Sequence, residues 1–241
     1  MARPIAHRGL HDTNRGIIEN TASAVRAAIE GRYGIEVDLQ ISSDGEAMVY
    51  HDDRLGRLTE GDERLTVMTA ADLKRIRFRA TSDRMLTLGE LCDLVREQAT
   101  LVLELKSAFN GDHRIALRTV DVLKSYRGAV AAMSFDPDLV ATLKEAAPGL
   151  TRGITAMGRY DHSEWAPLSL WQRLTFPHLL QSALARPHFV AYALNDLPAV
   201  APSFARRACG VPLLAWVARC EDDRMRATRV CDQIIFEDFQ A

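Results

Sequence analysis

The chain has 241 residues, of which 26% are charged and 47% are hydrophobic, and its formal net charge is -2. This size and composition are those of an ordinary globular protein with a substantial core, arranged as one large domain or two small ones. The small net charge and the pI of about 6.4 give no overall attraction to nucleic acid or to an anionic membrane. Binding of a phosphorylated ligand would therefore depend on a local cluster of residues.

The apolar runs and the cysteines of this chain do not point to secretion. No run approaches the roughly 18 apolar residues of a membrane-spanning helix. The chain also reaches His7 without room for the apolar core of a secretory signal. We therefore expect a cytoplasmic protein with no stable membrane insertion. The four cysteines form no C-x-x-C pair, so reduced and mostly buried thiols are a better interpretation than zinc ligands or disulfides.

Apolar runs and a helical pattern alternate through the first fifty residues. A short strand is predicted at 4–6. Asn20 is a plausible N-cap for a helix that Gly31 stops. A longer strand is predicted at 34–41, and after a tight turn another strand follows at 47–50.

The rest of the chain repeats this alternation after one interruption. Residues 53–85 are charged and have only short apolar groupings, which predicts an excursion from the repeat. Thr87 and Glu90 have the spacing of a capping box, which predicts the start of a helix. Further strands are predicted at 101–106, 129–135, 153–157, 189–194, 213–218 and 233–236. Further helices are predicted at 112–126, 137–147, 175–186, 199–209 and 222–230.

Close to eight strands thus alternate with helices, and this pattern predicts an α/β fold of the (β/α)8 TIM barrel type. An open doubly wound sheet is the alternative. The barrel is favoured because polar candidates follow several different strands, and these strand ends meet at one mouth only when the sheet closes. We expect a single domain over 1–241. An insertion at about 43–86, between strand 2 and the following barrel helix, would carry His51.

Acidic side chains occupy one face of two predicted strands. Glu36 and Asp38 share the face opposite the apolar residues of their strand. Glu104 and Lys106 repeat this alternation in a later strand. Carboxylates about 7 Å apart along a strand repel each other and resist ionisation unless a cation or a basic group lies among them. Three acids and a lysine therefore predict a divalent metal beside an anionic substrate.

Short motifs along nearly the whole chain carry a family resemblance. They are Ala6-His7-Arg8-Gly9, Glu19-Asn20-Thr21, Gly34-Ile35-Glu36-Val37-Asp38-Leu39, Asp44-Gly45, His51-Asp52, Leu103-Glu104-Leu105-Lys106, Ser134-Phe135-Asp136, Trp216 and Ile234-Ile235. In this order they resemble the glycerophosphodiester phosphodiesterase family, which belongs to the phospholipase C-like TIM barrels. The resemblance implies metal-dependent hydrolysis of a glycerophosphodiester to an alcohol and sn-glycerol 3-phosphate. The attacking group would be water, or first the 2-hydroxyl of the glycerol, which gives a cyclic phosphate that water then opens.

The resemblance also implies a role for each matched side chain. His7 and His51 would share general acid and base catalysis, which suits two imidazoles near neutral pH. One divalent cation, Mg²⁺ or Ca²⁺, would bind to the all-oxygen set of Glu36, Asp38 and Glu104. The remaining roles are phosphate binding by Arg8 and Lys106, ligand contact or simple barrel packing by Trp216, and support of the site by Glu19 and Asn20.

Two other functions compete with this interpretation. A phospholipase D-like or lysophospholipase activity on membrane lipids would need an apolar mouth, which the charged excursion does not offer. A non-catalytic barrel that binds a phosphorylated ligand would have no need for two histidines. Arg219 and residues 236–239 depart from the family pattern, which affects the leaving group more than the reaction. We expect a small-molecule phosphodiester substrate and no nucleic acid, and we expect the remaining histidines, including His11, to be surface or packing residues.

Overall fold

In the computed structural model, which describes residues 3–162 and 165–241, eight parallel strands form a closed barrel. The barrel strands are β1 (Ile5–Ala6), β2 (Gly34–Ile41), β4 (Leu101–Leu105), β5 (Val130–Ser134), β6 (Thr151–Ala156), β7 (Phe189–Ala193), β8 (Leu213–Ala218) and β9 (Gln233–Phe236). The ring closes because β1 pairs in parallel with both β2 and β9. One further strand, β3 (Ala47–Val49), pairs antiparallel with β2 outside the ring. The predicted TIM barrel is confirmed.

Helices connect the strands and cover the outside of the barrel. They are α1 (Ala22–Glu30), α2 (Ala70–Leu73), α3 (Leu88–Val95), α4 (Arg114–Leu123), α5 (Pro137–Ala146), α6 (Leu170–Thr175), α7 (Ser182–Ala185), α8 (Val200–Cys209) and α9 (Glu221–Ala227). The predicted capping box is present, since Thr87 and Glu90 bond each other's backbone at the start of α3. Within residues 3–162 and 165–241, no helix has the length and apolar character needed to cross a bilayer.

Two helical predictions were wrong in detail. The N-cap of α1 is Thr21, whose hydroxyl accepts from the Ala24 amide, and not Asn20. Asn20 has a φ of +59° and its amide is bonded to Asp38 instead. The helix predicted at 175–186 is broken, because α6 ends before Pro177 and a 3-10 turn separates it from α7. Proline lacks the amide hydrogen that a continuous helix would need at this point.

Apolar side chains fill both the space under the helices and the inside of the barrel. The interior cluster consists of Ile5, Val102, Ala131, Met133, Phe189, Ala191, Leu214 and Ile235, with Trp216 packed against it. Because this interior is a packed core and not a pore, polar side chains that point inward must lie near the mouth.

The predicted excursion between β2 and α3 is present and has a small core of its own. It contains β3, α2 and His51. Its buried apolar residues are Met48, Tyr50, Leu55, Leu65, Leu73, Phe78 and Met85, and Ile18 from the segment before α1 belongs to the same cluster. The excursion is anchored to the barrel where the Tyr50 amide donates to the Asp38 carbonyl at 3.1 Å. This bond places the end of β3 beside the acidic face of β2.

Candidate active site

Three buried carboxylates from two adjacent strands meet at the carboxyl end of the barrel. Glu36 and Asp38 lie on β2, and Glu104 lies on β4 directly opposite Asp38 in the strand register. One oxygen atom of each carboxylate lies within 4.8 Å of the others. Burial raises the pKa of Glu36 well above its ordinary value, and repulsion from Asp38 and Glu104 raises it further. A crowded set of oxygen donors whose charges repel one another fits a divalent cation.

Two cationic side chains touch the same acids. The Lys106 ammonium lies 2.8 Å from Asp38 Oδ1 and 2.5 Å from Glu104 Oε1. Arg8 Nε lies 3.2 Å from Asp38 Oδ2, and the Arg8 amide donates to Glu36 Oε2 at 2.9 Å. Burial alone would raise the pKa of Asp38, but the Lys106 ammonium and the other cationic groups around it outweigh this effect and lower it. Asp38 is therefore ionised, and positive charge is held at the mouth.

A tight turn after β1 positions His7 and Arg8. The turn requires Gly9, which has a φ of +79° and lies so close to α1 that a Cβ atom would be 2.8 Å from the Ala24 carbonyl carbon. The His7 amide donates to the Phe236 carbonyl at 2.9 Å, which ties the turn to β9. The motif therefore holds His7 between the first and last strands of the barrel.

The His7 imidazole is bonded on one side to Glu237. Its Nδ1 lies 2.5 Å from Glu237 Oε2, and its Nε2 lies 3.9 Å from Glu36 Oε2. Burial lowers the pKa of His7 and outweighs the opposite effect of the Glu237 carboxylate. A neutral His7 that donates its Nδ1 proton to Glu237 leaves Nε2 as a proton acceptor toward the acids. Arg219 Nη2 and His11 Nε2 also approach Glu237, at 2.7 Å and 3.7 Å.

His51 is also bonded to a carboxylate. Its Nδ1 lies 2.8 Å from Asp52 Oδ1, and its backbone carbonyl accepts from Gln40 of β2 at 2.8 Å. Burial would raise the pKa of Asp52, but hydrogen bonds from His51 and Arg57 lower it to about 2. Both His7 and His51 also lower the pKa of Asp38. The two imidazoles therefore lie near the same carboxylate cluster.

A network of ion pairs connects the His51 side of the site to the acids. Arg57 bonds both Asp52, with 2.7 Å from Nε to Oδ2, and Glu19, with 2.7 Å from Nη2 to Oε1. Glu19 in turn accepts from Arg8 Nη1 at 2.8 Å. Asn20 donates to Asp38 Oδ2 at 2.8 Å and accepts from the Asp38 amide at 3.1 Å. These contacts restrain Arg8 and Asp38 in fixed orientations.

Trp216 lies on β8 at the edge of the interior cluster. Its ring meets Phe135 edge to face, with 5.6 Å between ring centroids. Within the described part of the chain, the indole Nε1 is buried without a hydrogen-bond partner. The side chain thus packs on the barrel interior and still has one unused donor.

The structure adds three residues that the sequence reasoning did not assign to the site. Arg57 was not singled out, Glu237 was noted only within a departure from the family pattern, and Asp52 only as part of a motif. The available signal for Glu237 was its position directly after the last apolar strand, which is the same signal that singled out His7 after the first. Arg219, noted only as a departure from the family pattern, lies against Glu237.

Fold and site together define a class of protein. The barrel carries two carboxylate-bonded imidazoles suited to proton transfer, two cations suited to phosphate oxygens, and three acids suited to a metal, all at the carboxyl ends of its strands. This combination is suited to the hydrolysis of phosphoric esters. The sequence profile of the "Glycerophosphoryl diester phosphodiesterase family" matches residues 7–230. The chain therefore belongs to this family of phosphoric diester hydrolases.

Individual relatives are distant but consistent with the family. A glycerophosphodiester phosphodiesterase of Caldanaerobacter subterraneus is 31% identical over 160 residues, which are 62% of this chain and 65% of that protein. This alignment spans less than two thirds of the bacterial relative. Glycerophosphodiester phosphodiesterase 1 of Bos taurus is 24% identical over 251 residues, with 91% of this chain and 72% of the relative covered.

Solved structures share the barrel. A phosphodiesterase of Oleispira antarctica in complex with the product sn-glycerol-3-phosphate has a TM-score of 0.80 and 22% identity, and the match covers 100% of this chain and 94% of that one. The glycerophosphodiester phosphodiesterase of Thermotoga maritima has a TM-score of 0.71 and 23% identity, with 98% and 95% covered. These similarities establish the fold.

Proposed function

We propose that this protein hydrolyses glycerophosphodiesters to an alcohol and sn-glycerol 3-phosphate. The observation that carries the proposal is the convergence of His7, His51 and three carboxylates on one mouth of a closed barrel. The family membership supports the reaction class. The sn-glycerol-3-phosphate bound to the Oleispira antarctica phosphodiesterase supports the product.

His7 and His51 divide the proton transfers in this proposal. Each imidazole is hydrogen-bonded through Nδ1 to a carboxylate. This bond fixes the orientation of the ring and leaves Nε2 for the substrate. His7, which is neutral because burial lowers its pKa, accepts the proton of the attacking hydroxyl as the new P–O bond forms. His51 donates a proton to the departing alkoxide as the old P–O bond breaks. The attacking group is water, or first the glycerol 2-hydroxyl, in which case water then opens the cyclic phosphate.

Positive charge at the mouth stabilises the phosphate oxygens as negative charge develops on them. Lys106 and Arg8 supply two such charges, since both side chains lie at the acidic cluster. Glu36, Asp38 and Glu104 would hold one divalent cation, Mg²⁺ or Ca²⁺, which supplies further positive charge when bound.

The surrounding side chains have supporting roles in this proposal. Asn20 orients Asp38 through its two hydrogen bonds, and Glu19 holds the Arg8 guanidinium. Trp216 flanks the substrate and offers its unpaired indole donor. We also propose that residues 1–241 act as one domain, with about 43–86 supplying His51, and that the protein works in the cytoplasm.

The test is turnover of a panel of glycerophosphodiesters, followed by release of glycerol 3-phosphate. We expect activity to disappear with a chelator and to return with Mg²⁺ or Ca²⁺. His7→Gln and His51→Gln should each lower kcat by roughly 10²-fold to 10⁴-fold, which is the usual effect of losing a general acid or base. His162→Gln is the matched control, since its side chain is 77% exposed. Near-normal turnover in either active-site variant would disprove the assignment.

A further inference from the structure

Exposed apolar side chains are concentrated in one region of the molecule. Of the ten large hydrophobic side chains that are exposed in the described residues, seven lie between positions 170 and 204. They are Leu170, Trp171, Leu174, Leu180, Leu184, Val200 and Phe204, with exposed fractions from 53% to 87%. We call this set the α6–α8 apolar surface. Single exposed side chains are common, but such a concentration is typical of a contact surface.

The first part of this surface is one side of α6. Leu170, Trp171 and Leu174 have the i, i+1, i+4 spacing of one helical face, whereas Thr175 is buried. The Leu180 amide donates to the Thr175 carbonyl at 3.4 Å, which places Leu180 directly beyond the end of α6. The exposed apolar side of α6 therefore continues past the helix end.

The second part lies on α7 and α8. Leu184 lies in α7, four residues after Leu180, and is also exposed. α8 packs against the 3-10 turn at Phe176–His178, which directly follows α6. Val200 and Phe204 are one helical turn apart and are both exposed. Arg207 lies on the same face of α8, three residues after Phe204.

The charge of this region is opposite in sign to that of the whole chain. Residues 165–209 contain four arginines and one aspartate, a formal charge of +3, in a protein with a net charge of -2. No acidic residue occurs from 165 to 195. Within residues 3–162 and 165–241, neither Arg186 nor Arg207 forms an ion pair with a carboxylate, and both are exposed. The apolar surface is therefore flanked by unpaired positive charge.

The α6 part of the surface is connected to the carboxyl end of the barrel, where the candidate active site lies. Trp216 meets Phe135, and Phe135 meets Trp165 with 4.8 Å between ring centroids. Arg173 of α6 donates to the Trp165 carbonyl at 3.0 Å. Three consecutive contacts therefore connect the mouth of the barrel to α6.

We propose that the α6–α8 apolar surface adsorbs to bilayers that contain anionic phospholipids, as a peripheral contact without a spanning helix. Apolar side chains with an exposed tryptophan and flanking arginines are the combination that partitions into a charged lipid interface. A second copy of the chain fits less well, because a symmetric contact would bring the unpaired arginines of both copies together. Vesicle binding is measured without turnover, so this proposal stands or falls independently of the proposed activity.

The test is co-sedimentation of the full chain with vesicles of phosphatidylglycerol and phosphatidylcholine or of phosphatidylcholine alone. We expect binding to the anionic vesicles only, and a loss of more than about tenfold in the Leu170→Ser/Trp171→Ser/Leu174→Ser variant. Leu117→Ser/Met225→Ser is the matched control, because both side chains are also more than half exposed but lie on α4 and α9. This control should bind like the parent. Equal binding by the triple variant would overturn the proposal.

Two further measurements distinguish lipid binding from self-association of the chain. Arg186→Gln/Arg207→Gln should weaken binding to anionic vesicles about 25-fold, at about fivefold per arginine near an anionic surface. In the unmodified protein, brominated lipids should quench the fluorescence of Trp171, which is 72% exposed, whereas Trp165 and Trp216 are largely shielded. Absence of quenching would contradict lipid binding. A parent protein that is dimeric in solution, with a triple serine variant that is monomeric, would assign the surface to self-association.

Discussion

Asn20 provides a direct test of how the acidic cluster is held in place. The side chain is 1% exposed and makes two hydrogen bonds to Asp38, one to the carboxylate and one from the backbone amide. Its φ of +59° is unfavourable for most residues but acceptable for asparagine and glycine. Asn20→Gly therefore removes the hydrogen bonds and keeps the backbone, whereas Asn20→Ala removes the bonds and also strains the backbone.

The expected loss of stability follows from these contacts. A hydrogen bond to a charged group contributes about 1.5–3 kcal/mol, and a buried unpaired amide costs about 1–3 kcal/mol. Water entering the vacated space recovers part of this, so we expect Asn20→Gly to lower the free energy of unfolding by about 3 kcal/mol. Asn20→Ala should lose about 1 kcal/mol more, because a Cβ atom is disfavoured at this φ.

Urea unfolding followed by circular dichroism measures both losses. Asn14→Gly is the control, because the Asn14 side chain is exposed. The backbone amide of Asn14 donates to Asp12 Oδ1, and glycine keeps this amide. The two Asn20 variants should also raise the Mg²⁺ concentration for half-maximal turnover by about 10-fold to 100-fold, as expected when a residue that orients a metal ligand is lost. The reasoning would be refuted if Asn20→Gly were as stable as Asn14→Gly, or if Asn20→Ala were more stable than Asn20→Gly.

Two more predictions concern the carboxylates that bond the histidines. Glu237→Gln should lower kcat by about 10-fold to 100-fold with little change in KM, because Glu237 would act through its contact with His7. Glu237→Asp should restore part of the loss, and an effect on KM alone would contradict this prediction. Asp52 has a pKa of about 2 in the folded protein, below its unfolded value of about 3.9, so it contributes stability above about pH 4 that is lost as the pH falls through about 2. At pH 6 the free energy of unfolding of the parent should therefore exceed that of Asp52→Asn by about 2 kcal/mol, and this difference should be smaller at pH 2.5. A difference that does not change with pH would exclude the ion pairs of Asp52 as its source.

Strand periodicity made most of the acidic face predictable. Side chains two positions apart on a strand share a face whatever the strand pairs with, so Glu36 and Asp38 had to be neighbours. Glu104 joined them only on the assumption of a barrel, and the register of β2 with β4 places it opposite Asp38. The capping box of α3 was equally local, since four consecutive residues make all of its bonds.

The sequence by itself thus determined most of the strand and helix order and the polar face of β2, because each depends on patterns within a few residues. Only the tertiary structure decided the partner of His7. Glu237 reaches His7 across 230 positions, and this contact exists because β1 pairs with β9 when the barrel closes. The tertiary structure also places Asn20 beside the buried carboxylate of Asp38, so the side-chain amide of Asn20 bonds this carboxylate and does not cap α1.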